Sequence, residues 1–105
     1  MKNFAVIGNP VIHSLSPRMH NWVFQKLNIK AEYQSITIKN NEIFDFINKI
    51  RHGEFNGINV TIPYKEKVIK YLDEINPRAK IIGAVNCLME VDSKVLGNNT
   101  DWFGF

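Results

Sequence analysis

Apolar residues recur along this chain in two rhythms. Phe4 to Ile7 is a short continuous apolar run that stops at Gly8-Asn9-Pro10, the pattern of a buried strand followed by a loop. Ser16-Pro17 reads as a helix start, with Ser at the N-cap and Pro at the first helical position. Met19, Trp22, Val23 and Leu27 follow at helical spacing and predict one apolar face. Tyr33 to Ile38 alternates and is rich in β-formers, which predicts a second strand. Asn40 or Asn41 is placed to cap a helix whose apolar stripe is Ile43, Phe46, Ile47 and Ile50, with Gly53 as its stop.

The second half continues the pattern. Gly57 to Thr61 predicts a brief strand, and Pro63 opens a helix with Tyr64, Val68, Tyr71 and Leu72 on one side. Asn76-Pro77 starts a shorter helix that Gly83 closes. Val85 to Val91 and Lys94 to Leu96 read as two strands joined at Asp92-Ser93. Thr100 to Gly104 has the pattern of a cap and first helical turn. Strands alternating with helices predict an α/β fold with a mixed, mostly parallel sheet flanked by helices on both faces.

Composition narrows the function classes. One hundred and five residues make one domain, with no repeat or linker, and leave no room for a second, dinucleotide-binding domain. Hydrophobic residues are 45% and charged residues 22%, which is enough apolar material for a core. Lys plus Arg is 13 against 10 for Asp plus Glu, a formal charge of +3. The positive residues are dispersed, so they read as a solvated surface and not as a nucleic-acid stripe. Cys87 is the only cysteine, which excludes an internal disulfide or a thiolate zinc cluster and suits a reducing cytoplasm. No apolar run approaches the roughly 18 residues of a membrane span. None of the six glycines forms G-x-G-x-x-G or a phosphate-cradling loop.

Four segments carry candidate chemistry. In Ser14-Leu15-Ser16-Pro17, capping accounts for Ser16 but not for Ser14; two hydroxyls at a helix N-terminus also suit a carboxylate. His13 and His20 flank this loop without partners at metal-ligand spacing. In Asn59-Val60-Thr61-Ile62-Pro63-Tyr64-Lys65, strand alternation points Asn59 and Thr61 to one face. Lys65 falls in the first turn of the predicted helix. It is either a solvated surface lysine or, partly buried at a positive dipole end, an amine of lowered pKa able to act as a base. Glu66 and Lys70 make an i,i+4 pair that needs no function. Asn86 interrupts an apolar strand and must be satisfied by backbone, water or ligand. Cys87 reads as a small hydrophobe, since no neighbour in sequence would activate it. In Gly97-Asn98-Asn99-Thr100-Asp101, Thr100 or Asp101 is a good N-cap, and Asp101 is alternatively a carboxylate facing Lys65.

Together these segments are specific. Gly8-Asn9-Pro10 with His13-Ser14-Leu15-Ser16-Pro17 and His20-Asn21 resembles the opening signature of shikimate dehydrogenases. Asn59 to Lys65 resembles that family's second motif, Ile82-Gly83-Ala84-Val85-Asn86 the third, and Gly97 to Asp101 with Gly104 the fourth. The resemblance implies a six-stranded mixed sheet forming the substrate-binding domain, residues 1–105, with a separate C-terminal Rossmann domain for NADP that this chain lacks. It implies that Ser14 and Ser16 hold the substrate carboxylate, and that Thr61, Lys65, Asn86 and Asp101 hold the ring hydroxyls. Lys65, with Asp101 beside it, would handle the proton in the NADP-linked interconversion of 3-dehydroshikimate and shikimate, on the way to chorismate and the aromatic amino acids. No metal is implied. Without the cofactor domain the chain is expected to be inactive and to bind shikimate with a dissociation constant on the order of millimolar. Two departures are Cys87, where the family usually has threonine, and Pro77, where an acidic residue is common. The alternatives are a non-catalytic module for a polyhydroxy carboxylate, and the quinate-preferring branch of the family.

Overall fold

A computed structural model describes residues 2–10 and 16–100, with only the backbone given for residues 16–20. The strands are β1 (Lys2–Gly8), β2 (Ala31–Thr37), β3 (Gly57–Val60), β4 (Glu74–Ile75), β5 (Cys87–Val91) and β6 (Lys94–Asn98). The helices are α1 (Ser16–Lys26), α2 (Ile43–Arg51) and α3 (Pro77–Ile82). One six-stranded sheet runs in the order β2-β1-β3-β5-β6-β4. The pairs β1–β2, β1–β3 and β4–β6 are parallel; β3–β5 and β5–β6 are antiparallel.

Period-two alternation in β1 assigns the two faces. Ala5 and Ile7 join the core under α2, with Ile58, Val60 and Leu88 from the neighbouring strands. Phe4 points the other way and meets Phe24 of α1, ring centroids 5.9 Å apart. Helices therefore cover both faces, as the sequence predicts.

The predicted stripe of α2 is buried at every position. The helix ends as its residues dictate. Gly53 takes φ 86°, its N–H reaches the Ile50 carbonyl, and the Glu54 N–H reaches Lys49. Asn40 and Asn41 do not cap α2. They lie in a 3₁₀ turn, Asn40–Glu42, in which the Glu42 carboxylate reaches back to accept from the Lys39 N–H. Asn76 does cap α3, accepting from the Arg78 N–H, and Gly83 closes it at φ 81°. Asp92 and Ser93, both at positive φ, turn β5 into β6. The two-residue strand β4 has too short a pattern to be seen in the sequence.

Two further expectations are corrected. The face of α1 predicted to be buried is open where it is described: Trp22 is 60% exposed and Leu27 65%. The residues turned to the sheet are Phe24 and Asn21; Asn21 brackets the backbone of Tyr33, its amide donating to the Tyr33 carbonyl and its Oδ1 accepting the Tyr33 N–H. Residues 63–72 do not form the predicted α-helix. They run as successive turns into a short 3₁₀ segment, Ile69–Tyr71. The Lys65 carbonyl, which Ile69 would use in an α-helix, instead accepts the Val85 N–H, and Ile69 turns to Glu66. The apolar spacing still works, because Tyr64 and Val68 are fully buried. The i,i+4 relation of Glu66 and Lys70 goes with the helix, and the Lys70 ammonium lies 5.1 Å from the Tyr71 ring centroid.

Candidate functional site

The register brings parts of all four sequence segments to one end of the sheet. The parallel strands β1, β2 and β3 point their carboxyl ends there, where ligands gather in open α/β sheets. β5, antiparallel to β3, begins there opposite Asn59, and β6 ends there opposite Cys87. Backbone hydrogen bonds stitch the segments. The Thr61 N–H donates to Ile7, Asn9 to Ile62, Val60 to Asn86, Val85 to Lys65 and Asn86 to Asn98, at 2.8–3.1 Å.

Asn86 is at the centre and only 9% exposed. Its Oδ1 accepts the Thr100 N–H at 3.0 Å, and its Nδ2 lies 3.1 Å from Thr100 Oγ1. The loop after β6 is thus pinned to the loop before β5. Asn99, 4% exposed, adds a bond from Nδ2 to the Ala84 carbonyl. Protein atoms satisfy Asn86, and among the described residues one amide hydrogen remains beyond the Thr100 contact. Gly97 makes this approach possible, since a Cβ there would lie 2.5 Å from Leu72 Cδ1 and 3.1 Å from a Val85 methyl.

Thr61 leaves β3 half-buried, and its hydroxyl has no hydrogen-bond partner among the described residues. Lys65 is half-buried beside Val85. With no helix beginning at Pro63, the expected dipole argument for Lys65 falls away, and its place in the site rests on the 65–85 backbone contact. Ser16 begins α1. Ser14, His13 and Asp101 lie outside the described residues, as does the predicted helical turn beyond Thr100, and the side chains of Ser16 and His20 are not described. Thr100, the chain neighbour of Asp101, is joined to Asn86.

Asn59 is not among the residues that the family resemblance implies as ligand contacts. It is exposed on the face it shares with Thr61, and its Oδ1 accepts from the Tyr33 phenol. The alternation that pairs Asn59 with Thr61 was the signal that could have found it. Cys87 sits opposite Asn59, and burial pushes its thiol upward, away from a nucleophile's range.

The chain matches the family model described as shikimate dehydrogenase substrate binding domain over residues 6–88. It belongs to that family. Shikimate dehydrogenase (NADP(+)) of Staphylococcus epidermidis is 49% identical over 102 residues, 97% of this chain and 38% of that protein. Among solved structures, shikimate dehydrogenase 1 of Peptoclostridium difficile superposes with a TM-score of 0.91 at 42% identity, covering 99% of this chain and 38% of that one. Shikimate 5-dehydrogenase of Thermus thermophilus, solved with shikimate, gives 0.92 at 38% identity, covering 100% and 40%. The chain thus spans about two-fifths of the length of these relatives.

NADP, named with the relatives, does not fit the residues described. Gly53 and Gly83 cap helices, Gly57 and Gly97 make room for Phe4, Leu72 and Val85, and Gly8 ends β1 with its carbonyl bonded to Ile38. None of these opens a phosphate cradle at a helix N-terminus. Among the described residues no group of three or more His, Cys, Asp or Glu could hold a metal ion, and no helix is long and apolar enough to cross a membrane.

Proposed function

We propose that this chain binds shikimate and 3-dehydroshikimate, as the substrate half of an NADP-linked shikimate dehydrogenase that serves aromatic amino-acid biosynthesis in the cytoplasm. The observation that carries the reading is the gathering of the segments of Thr61, Lys65, Asn86 and Thr100 at the carboxyl end of the parallel strands, through the Val60–Asn86 and Lys65–Val85 backbone bonds and the bond from the Thr100 N–H to the Asn86 side chain. A ring bearing several hydroxyls needs donors and acceptors in a fixed array, and an unmatched buried group costs affinity. Thr61 and Asn86 offer such groups to the ring hydroxyls, with Asp101 alongside. Ser14 and Ser16 take the carboxylate at the start of α1. Lys65, with Asp101, gives the proton to the carbonyl oxygen on reduction and takes it back on oxidation. NADPH, bound outside these residues, would supply the hydride on reduction, and NADP+ would accept it on oxidation.

An amide NMR titration of the chain with shikimate, and with quinate for comparison, tests this. Shikimate is expected to move the signals of Thr61, Lys65 and Asn86 with a dissociation constant on the order of millimolar. Ser14→Ala is expected to abolish the effect. A chain whose signals stay still at high millimolar shikimate contradicts the reading. Tighter binding of quinate would move the assignment to the quinate-preferring branch.

A further inference from the structure

Tyr33 belongs to none of the four motif segments, yet it links two of them. Asn21, from the opening segment, clamps its backbone at both N–H and carbonyl, 2.8 and 2.9 Å. Its side chain crosses beneath β1, the strand between β2 and β3, and donates to Asn59 Oδ1 at 2.5 Å. Tyr33 is buried, 5% exposed, whereas Asn59 is exposed. Burial, and to a smaller extent the Cys87 thiol, pushes the Tyr33 phenol above its ordinary range, so the hydroxyl keeps its proton. A carboxamide whose oxygen is held by a phenol can present its NH₂ in only one direction. That NH₂ has no partner among the described residues.

We propose that Tyr33 is a positioning residue: it fixes the Asn59 carboxamide as a donor on the face shared with Thr61, so that the site favours a ligand with a hydroxyl or carbonyl oxygen at that point. The inference rests on the shikimate-binding reading. Tyr33 acts through Asn59 and not on the ligand, and this distinguishes it from a residue that merely packs. A packing role predicts losses that multiply with those at Asn59; a positioning role predicts losses that vanish once Asn59 is gone.

The test uses the full chain, shikimate as the probe, and the variants Tyr33→Phe, Asn59→Ala and the double substitution. Tyr33→Phe is expected to weaken binding about fivefold, the effect of one lost hydrogen bond. The double variant is expected to bind no more weakly than Asn59→Ala alone. Without ligand, the Asn59 side-chain NH₂ signals, assigned by their disappearance in Asn59→Ala, are expected to shift in Tyr33→Phe. Unchanged NH₂ signals, unchanged affinity in Tyr33→Phe, or multiplied losses in the double variant overturn the proposal. A parent chain that is itself silent to shikimate instead overturns the binding reading beneath it, and Tyr33's role with it. Should Tyr33→Phe fail to fold, Asn59→Asp carries the test. It keeps the acceptor for Tyr33 and removes both N–H donors, so undiminished binding overturns the proposal.

Discussion

Residues 43–51 and residues 64–72 both carry apolar side chains at helical spacing and fold differently. In α2 every carbonyl that needs an internal partner can find one, and the stripe Ile43, Phe46, Ile47, Ile50 packs onto the sheet as a regular helix. In the second stretch Tyr64 and Val68 are buried just as deeply, but the Lys65 carbonyl is given to Val85. One long-range bond replaces one local bond, and the helix is lost. The difference separates scaffold from site. Where a segment only closes the core, its backbone is satisfied within itself; where it must hold a side chain beside another motif, its backbone is shared with that motif.

The comparison breaks most readily on the scaffold side. Ile50→Ala removes a fully buried side chain and is expected to cost about 2–5 kcal/mol in urea unfolding. Leu27→Ala, on the open face of α1, should stay within about 0.5 kcal/mol. At the junction of the two regions, Gly97→Ala presses a Cβ against Leu72 and Val85 and is expected to cost about 1–3 kcal/mol. It should also move the NMR signals of Asn86 and Thr100, which Ile50→Ala should leave nearer their places.

On the site side, Asn86→Ala strips the Thr100 N–H and hydroxyl of their partner and is expected to cost about 1–2 kcal/mol. Under the proposed function, in which Asn86 meets a ring hydroxyl, shikimate binding should fall far more than that stability loss explains. The smallest effect concerns Asp73, which ties the end of the second stretch back to both regions. It accepts the Val95 N–H at 2.7 Å and pairs with Arg51 of α2 at 3.0 Å. The Val95 N–H first, then Arg51, holds its carboxyl below the ordinary aspartate range. Its stabilising contribution is present above about pH 4 and is lost as pH falls through the lowered value. Asp73→Asn should therefore lower the melting temperature slightly at pH 7, and by progressively less as pH falls below about 4.

What was legible in the sequence follows the same division. The α2 stripe, the Asn76 cap, the Gly83 stop and the Asp92-Ser93 turn are local, and each appears where the residues predict it. The open face of α1 was not legible, because apolar spacing does not say what lies opposite. Nor was the loss of the helix after Pro63, which depends on a carbonyl partner twenty residues away. The site segments were legible as motifs. The contact between Asn86 and Thr100 came only with the fold, and so did Tyr33's hold on Asn59.

Amide hydrogen exchange at Val60, Val85 and Asn86, with and without shikimate, tests the central claim most directly. Their N–H groups make the bonds that join the site segments. The account predicts that all three are protected in the free chain. Shikimate at ten times its dissociation constant should slow all three together, by up to about tenfold where exchange requires the site to open. A Val85 amide that exchanges as freely as an exposed turn, or shikimate protection confined to residues outside these segments, would contradict it.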